Sequence, residues 1–166
     1  MDYDIGYMSI SNEDFKKALS AFASGVTVIT YKAGEEMGGL TVSSFASLSL
    51  EPPLILFNLN KSAISHEKIL ETKSFAVNIL SADGEDVSNK FASSKENKHE
   101  LVKKVGYTVK ETGSPLLRSC LAIMDCSLES VYDGGDHSII VGRALYTDTD
   151  PTKRPLLYYN RAYYKI

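Results

Sequence analysis

Two long β-rich runs, Leu117 to Tyr132 and His137 to Tyr146, stand on either side of Asp133-Gly134-Gly135-Asp136. Four turn-forming residues between such runs make a tight hairpin, and a hairpin can only join antiparallel neighbours. The rest of the chain repeats this on a smaller scale. Val26 to Tyr31 is a β-branched run closed by Ala33-Gly34, Gly38-Gly39 reads as the turn into a further strand, Glu51-Pro52-Pro53 breaks the chain before the apolar run Leu54 to Leu59, and Ser74 to Leu80 is another strand. The tally is six or seven strands with about three helices set among them. Strands that do not alternate regularly with helices exclude a doubly wound fold and predict a mainly β chain, an antiparallel sheet closed or partly closed into a barrel with peripheral helices.

The helices have their own signals. Ser11 reads as an N-cap with Asp14 three residues on, and Phe15, Ala18, Leu19 and Phe22 recur at i, i+3, i+4, i+7, which predicts an amphipathic helix ending near Gly25. A second helix is expected from Ser62 to Thr72 with Ile64, Ile69 and Leu70 inward, and Asp83 is expected to cap a third that runs to about Phe91. Ser93 to Lys104 is polar and lysine-rich, the pattern of a solvated loop or helix face. No repeat, heptad series or low-complexity linker interrupts the chain, so residues 1–166 are read as one domain.

At 166 residues the chain can bury a core without a metal or disulfide staple. A net charge of −3 gives no reason to expect nucleic acid or an anionic membrane as partner. The acidic start Met1 to Ile10 lacks the basic flank and apolar run of a secretory signal, and no stretch approaches the length of a membrane-spanning helix, so a soluble, cytoplasmic protein is expected. Cys120 and Cys126 are too few for a disulfide framework; on one strand they would lie roughly 20 Å apart, and they read as buried packing residues. His66, His99 and His137 lie far apart with no metal-ligand spacing, and the chain shows neither a nucleophile triad nor paired catalytic carboxylates.

Thr41 to Leu50 carries five hydroxyl side chains and no charge. Solvated strand faces usually include Lys, Glu or Arg, whereas hydroxyls admit close approach by another body and donate hydrogen bonds to it. The period-two pattern breaks at Ser44-Phe45, where a hydroxyl falls on the apolar face and an aromatic on the polar one, as a bulge or a ligand contact would produce. Two further places offer donors for an anion: Asn58, Lys61 and Ser62 at a strand end and helix start, and Lys90 to Lys95. Ordinary surface lysine accounts for either cluster nearly as well.

In order along the chain, these segments resemble the flavin reductase-like family of short-chain NAD(P)H:flavin oxidoreductases. Phe22-Ala23-Ser24-Gly25-Val26-Thr27 is similar to its opening motif, Gly39 to Phe45 with Ser47 to Leu54 to its T-x-S-S-F and S-x-x-P-P signature, and Phe75-Ala76-Val77-Asn78-Ile79-Leu80 to its F-x-V-N-I-L strand. Gly135-Asp136-His137 to Gly142 and Pro155-Leu156-Leu157-Tyr158-Tyr159 complete the set. The resemblance implies an FMN-binding, Greek-key split β-barrel, a homodimer with FMN or FAD near the dimer interface, and NADH or NADPH as co-substrate. It implies that Leu40, Thr41, Val42, Ser43 and Ser44 lie along the flavin ring and ribityl chain, with Asn58 beside them. Lys61, Ser62, Phe91, Ala92 and Lys95 would hold the phosphate. Asp136, His137, Tyr158 and Arg161 would form the nicotinamide pocket, with His137 the catalytic candidate. The chain departs from the family at Asn160-Arg161-Ala162, where a glycine is usual, and Arg161 is a candidate to reach a dinucleotide phosphate. Two functions follow: a reductase that passes reduced flavin to an oxygenase or other acceptor, or a flavin-binding electron carrier or sensor. Gly135-Asp136-His137 favours the first, because a carrier has no need of a nicotinamide pocket.

Overall fold

A computed structural model describes residues 10–166. In chain order the elements are α1 (Asn12–Ser20), β1 (Ser24–Gly25), β2 (Thr27–Ala33), β3 (Glu36–Val42), β4 (Ala46–Ser49), β5 (Leu54–Asn60), α2 (Ile64–Thr72), β6 (Ser74–Ile79), α3 (Glu85–Ala92), α4 (Lys98–Val105), β7 (Tyr107–Thr108), β8 (Leu116–Leu117), β9 (Ala122–Gly134), β10 (His137–Thr149), β11 (Leu156–Tyr159) and β12 (Ala162–Lys165). Seven strands form one sheet in the order β3-β2-β6-β9-β10-β5-β4, and every pairing in it is antiparallel. The fold is mainly β, as the turn pattern predicts.

The two edges of that sheet, β3 and β4, are consecutive in the chain, joined by Ser43-Ser44-Phe45 alone. Lying flat, seven strands would hold their edges about 29 Å apart at ordinary strand spacing. The four steps from Val42 to Ala46 reach about 14 Å at most. The sheet must therefore curl until its edges face each other, and Ser43 to Phe45 bridges the seam.

Curling gives the central strands two buried faces. Ile29 of β2 packs inward with Phe57, Leu59, Phe75, Val77 and Ile140, while its neighbour Val28 packs outward with Leu80, Phe91, Val102 and Leu156 beneath α3 and α4. A strand buried on both faces reads as the continuous β-branched run seen at Val26 to Tyr31. Phe57 and Phe75 meet edge to face, ring centroids 5.1 Å apart, and Phe75 lies over Gly142, where an added Cβ would come within 2.4 Å of its ring. Asn78, fully buried, donates to Val28 O at 2.9 Å and to Thr30 Oγ1 at 3.0 Å and accepts the Leu117 N–H at 2.7 Å, so β8 is pinned to the sheet.

Several expectations need correction. Gly38-Gly39 is not a turn. It lies within β3, and the reversal falls at Gly34, with φ +60°. Both glycines are there for space: a Cβ would stand 2.2 Å from the Tyr31 ring at Gly38 and 2.9 Å from Phe91 at Gly39. Thr41 to Leu50 is two strands rather than one, broken at the Ser44-Phe45 irregularity. Helix α1 has its Ser11 cap, which accepts from the Asp14 N–H at 3.0 Å, but ends at Ser20 rather than near Gly25, and its apolar stripe is not in the core. Ile64 points outward, 82% exposed, whereas Ile69 is buried and Leu70 packs on the core. Asp83 does not cap α3, whose N-cap is Gly84. Cys126 is buried in β9, but Cys120 is only half-buried and precedes that strand. Burial pushes both thiols up to about 12. Among the described residues no helix is long and apolar enough to cross a membrane.

Candidate functional site

The seam opens into a trough floored by the β3–β4 connection and walled by α1 and the tip of the β9–β10 hairpin. One end is a cavity of about 930 Å³ lined by Phe15, Lys16 and Leu19 of α1, Leu40 to Ser44, Asn58, Asn60, Asp136, His137 and Ile139. A second, of about 800 Å³, adds Glu13, Phe22, Phe45, Tyr158 and Arg161 and shares Lys16, Leu19, Ser43, Ser44 and Asn58 with the first. Another cavity, of about 470 Å³, lies apart, around Arg118, Cys120 and Asp148, and contains none of the seam residues.

The three seam hydroxyls have different uses. Thr41 lines the trough and donates its hydroxyl hydrogen to Ser88 O of α3 at 2.6 Å, which holds α3 on β3. Ser44 accepts the Asn58 N–H at 3.0 Å and bonds Asn58 O at 3.3 Å, stitching the connection onto β5. This explains why the alternation breaks there. The chain leaves β3, Phe45 turns against the core, and Ser44 takes over the ladder role that a strand residue would have filled. Ser43 is exposed in the trough and among the described residues has no side-chain hydrogen bond.

The hairpin tip forms the rim. β9 and β10 join through Gly135-Asp136, with His137 opposite Gly134 and Gly135 at φ +77°, a conformation glycine adopts without strain. His137 Nδ1 and Asp136 Oδ1 are 2.7 Å apart, which leaves Nε2 as the ring nitrogen open to a ligand. The His137 hydrogen bond holds the Asp136 carboxyl below its ordinary range. Lys61 is tied to the same tip. Its Nζ binds Asp133 and donates to Gly135 O at 2.6 Å, and its backbone N–H donates to Asp136 O at 3.0 Å. The Lys61 ammonium likewise holds Asp133 low.

Of the expected site residues, the structure brings Leu40 to Ser44, Asn58, Asp136, His137, Tyr158 and Arg161 together around the trough. The phosphate set is not among its lining. Lys61 serves the hairpin tip, and Ser62 donates its N–H and hydroxyl to Asn60 Oδ1 at 2.8 and 2.7 Å. The Phe91 ring is buried against Gly39, Ala92 is exposed at the end of α3, and Lys95 is exposed on the α3–α4 connection, where its N–H donates to Ser93 Oγ. Sequence reasoning missed Phe15, Lys16 and Leu19 as lining residues because an i, i+4 apolar pair reads as core-facing. It also missed Asn60 and Ile139, whose only signal was their closeness to Asn58 and His137.

Chemically the trough has apolar walls and a floor of hydroxyl and amide groups, with Asp136 and His137 at one end, Glu13 and Arg161 at the other, and Lys16 bordering both halves. Such a site suits a flat ring with polar edges and an anionic tail.

Residues 19–166 match the flavin reductase like domain model. The chain is 38% identical over 144 residues to the FMN reductase (NADH) SmoA of Agrobacterium fabrum, covering 85% of this chain and 80% of that one. It is 37% identical over 156 residues to HsaB of Mycobacterium tuberculosis, the reductase subunit of a flavin-dependent monooxygenase, covering 93% and 82%. The NADH:FAD oxidoreductase SgcE6 of Streptomyces globisporus, solved with NAD and FAD fragments, superposes with a TM-score of 0.87 at 29% identity over 96% of this chain and 97% of that one. The chain belongs to the flavin reductase like domain family.

Proposed function

We propose that this protein is an NAD(P)H-dependent flavin reductase that supplies reduced FMN or FAD to an acceptor such as a monooxygenase component. The observation that carries the reading is the uncharged, donor-bearing trough at the sheet seam with Asp136 and His137 on its rim. The residues fit a flavin by their chemistry. Ser43 offers a free hydroxyl, the Asn58 side chain an amide, and Phe15, Leu19, Leu40 and Ile139 an apolar enclosure for a ring. Bound flavin supplies the hydride-accepting ring and the dihydronicotinamide supplies the hydride. The chain's own work is geometric. Leu40 and Ile139 exclude water, Ser43 and the backbone of Leu40 to Ser44 fix the ring edge, and His137, oriented by Asp136 through Nδ1, positions the second ring through Nε2. With both rings held so, the chain would need to supply no acid, base or nucleophile of its own.

The same reading treats the curled sheet as a split barrel and the chain as one cytoplasmic domain acting as a homodimer. Phe15 and Leu19 of α1 and Phe22 just beyond its end are 50%, 56% and 78% exposed, and a second copy would cover them while closing the trough. Free cysteines suit a reducing compartment. The test is anaerobic stopped-flow of the FMN- or FAD-loaded protein mixed with NADH or NADPH. Bleaching of the flavin band with either nucleotide is expected. A protein that binds flavin but is not bleached by either would be a carrier or sensor, and the reductase reading would fall.

A further inference from the structure

The turn between β11 and β12 places two non-glycine residues in the left-handed region, Asn160 at φ 47° and Arg161 at φ 62°. Two-residue hairpin turns of this type favour glycine, above all at the second position, and a bulky side chain there is strained. The turn's backbone duties do not ask for arginine. The ladder from Leu156–Lys165 to Tyr159–Ala162 is complete, and the Asn160 N–H donates to Ser20 O of α1 at 2.8 Å. Glycine would make the same bonds with less strain, so the reason for residue 161 lies in its side chain.

That side chain lines the second half of the trough together with Lys16, Ser43 and Asn58. Among the described residues its one ion pair is with Glu13, at 3.8 Å, with the two side chains 58% and 78% exposed, too long and too wet for a bidentate clasp. Among the described residues Lys16 makes no ion pair, whereas other cations near the seam are committed: Lys61 to the hairpin tip, Lys90 to Asp86, and Lys98 to the carbonyls of Lys90 and Ser93. Two cations thus converge on a cavity with an uncharged donor floor, and the turn that carries one of them is anchored to the helix that carries the other.

We infer that Arg161, at the opposite end of the trough from His137, and Lys16, which borders both halves, form an anion subsite for a phosphate ester. The guanidinium leaves Glu13 and takes two phosphate oxygens in its planar fork, with Lys16 as the second charge. The inference rests on the trough being the nucleotide site. The phosphate belongs either to the flavin nucleotide or to the pyrophosphate of the nicotinamide dinucleotide.

Binding measurements separate these without any turnover. Flavin fluorescence quenching compares FMN with riboflavin, and calorimetry measures ADP-ribose, each on wild type, Arg161→Gly and Arg161→Lys. A roughly ten-fold loss in Arg161→Gly is expected, the size of one charge-assisted hydrogen bond, with partial recovery in Arg161→Lys. If FMN is weakened and riboflavin is not, the phosphate is the flavin's; if ADP-ribose is weakened, it is the dinucleotide's. The difference should shrink between about 50 and about 500 mM salt, and Arg161→Gly should melt no lower than wild type, because it relieves the turn. Glu13→Gln should tighten the same ligand by removing the competing carboxylate. Unchanged affinity for FMN and ADP-ribose in Arg161→Gly, or an equal loss for riboflavin, overturns the subsite. If wild type binds ligand through Arg161 but is not reduced by either nicotinamide nucleotide, the subsite stands and the reductase reading falls.

Discussion

Ser43 and Ser44 are neighbours in the chain with opposite duties. Ser44 is spent on the backbone of Asn58, and the Ser43 side chain makes no hydrogen bond among the described residues. Ser44→Ala should therefore cost about 1 kcal/mol of stability in urea unfolding, the net value of an ordinary hydrogen bond, and loosen flavin only as the seam loosens. Ser43→Ala should leave unfolding unchanged and weaken flavin binding several-fold, again about 1 kcal/mol. Equal unfolding losses in both variants would sink the distinction. At this scale the sequence is an incomplete guide. It marks the hydroxyls at 41, 43 and 44 as a group, but which of them faces a ligand depends on partners 14 and 47 positions away, Asn58 and Ser88. Lys61 is a similar case: its charge was legible, and its attachment to Asp133 across 72 residues was not.

The β9–β10 hairpin was the most legible element, although β9 begins at Ala122 rather than Leu117, β10 runs on to Thr149 rather than Tyr146, and the turn is Gly135-Asp136 alone. Its tip also has a defined response to acid. Lys61 holds Asp133 below the ordinary carboxylate value of about 3.9, and His137 does the same for Asp136. Acids depressed in the folded state add stability that is complete above about pH 4 and fades as the pH falls through their folded values. Carboxyl NMR titration should show both midpoints below about 3.9, and Lys61→Met should return that of Asp133 toward it. An Asp133 midpoint indifferent to the substitution would show that the contact is not formed in solution. Elsewhere the elements were read less well, for identifiable reasons. Gly38-Gly39 looks like a turn because glycine punctuates loops more often than it makes room for a ring, and only the positions of Tyr31 and Phe91 reveal the second use. Asp83 and Ile64 followed local rules for caps and apolar faces, and the packing of the ends of α2 and α3 overrode them.

For the whole molecule, β2–β6, β6–β9 and β5–β10 pair across long connections that no local signal marks, but the other three of the sheet's six neighbouring pairs, β2–β3, β4–β5 and β9–β10, are short hairpins, and the mainly β class was accordingly legible. The surface of α1 was not. A helix with Phe15 and Leu19 on one side, followed by Phe22, is indistinguishable in sequence from one that packs on its own sheet, and here those three side chains are exposed. If it meets a second copy, Leu19→Asp should convert the dimer to monomers in light scattering and reduce flavin affinity by more than ten-fold, since a desolvated carboxylate at such a contact costs several kcal/mol. A wild-type monomer, or a variant that still dimerises, would remove the homodimer from the reading. The two cysteines finally bear on how such a molecule survives its own trade. Free reduced flavin gives its electrons to dioxygen and leaves hydrogen peroxide behind, and peroxide oxidises cysteine by way of the thiolate. With both thiols pushed up to about 12, only about one in 10⁵ is ionised near neutrality, so the two cysteines present almost no thiolate to the oxidant formed around them.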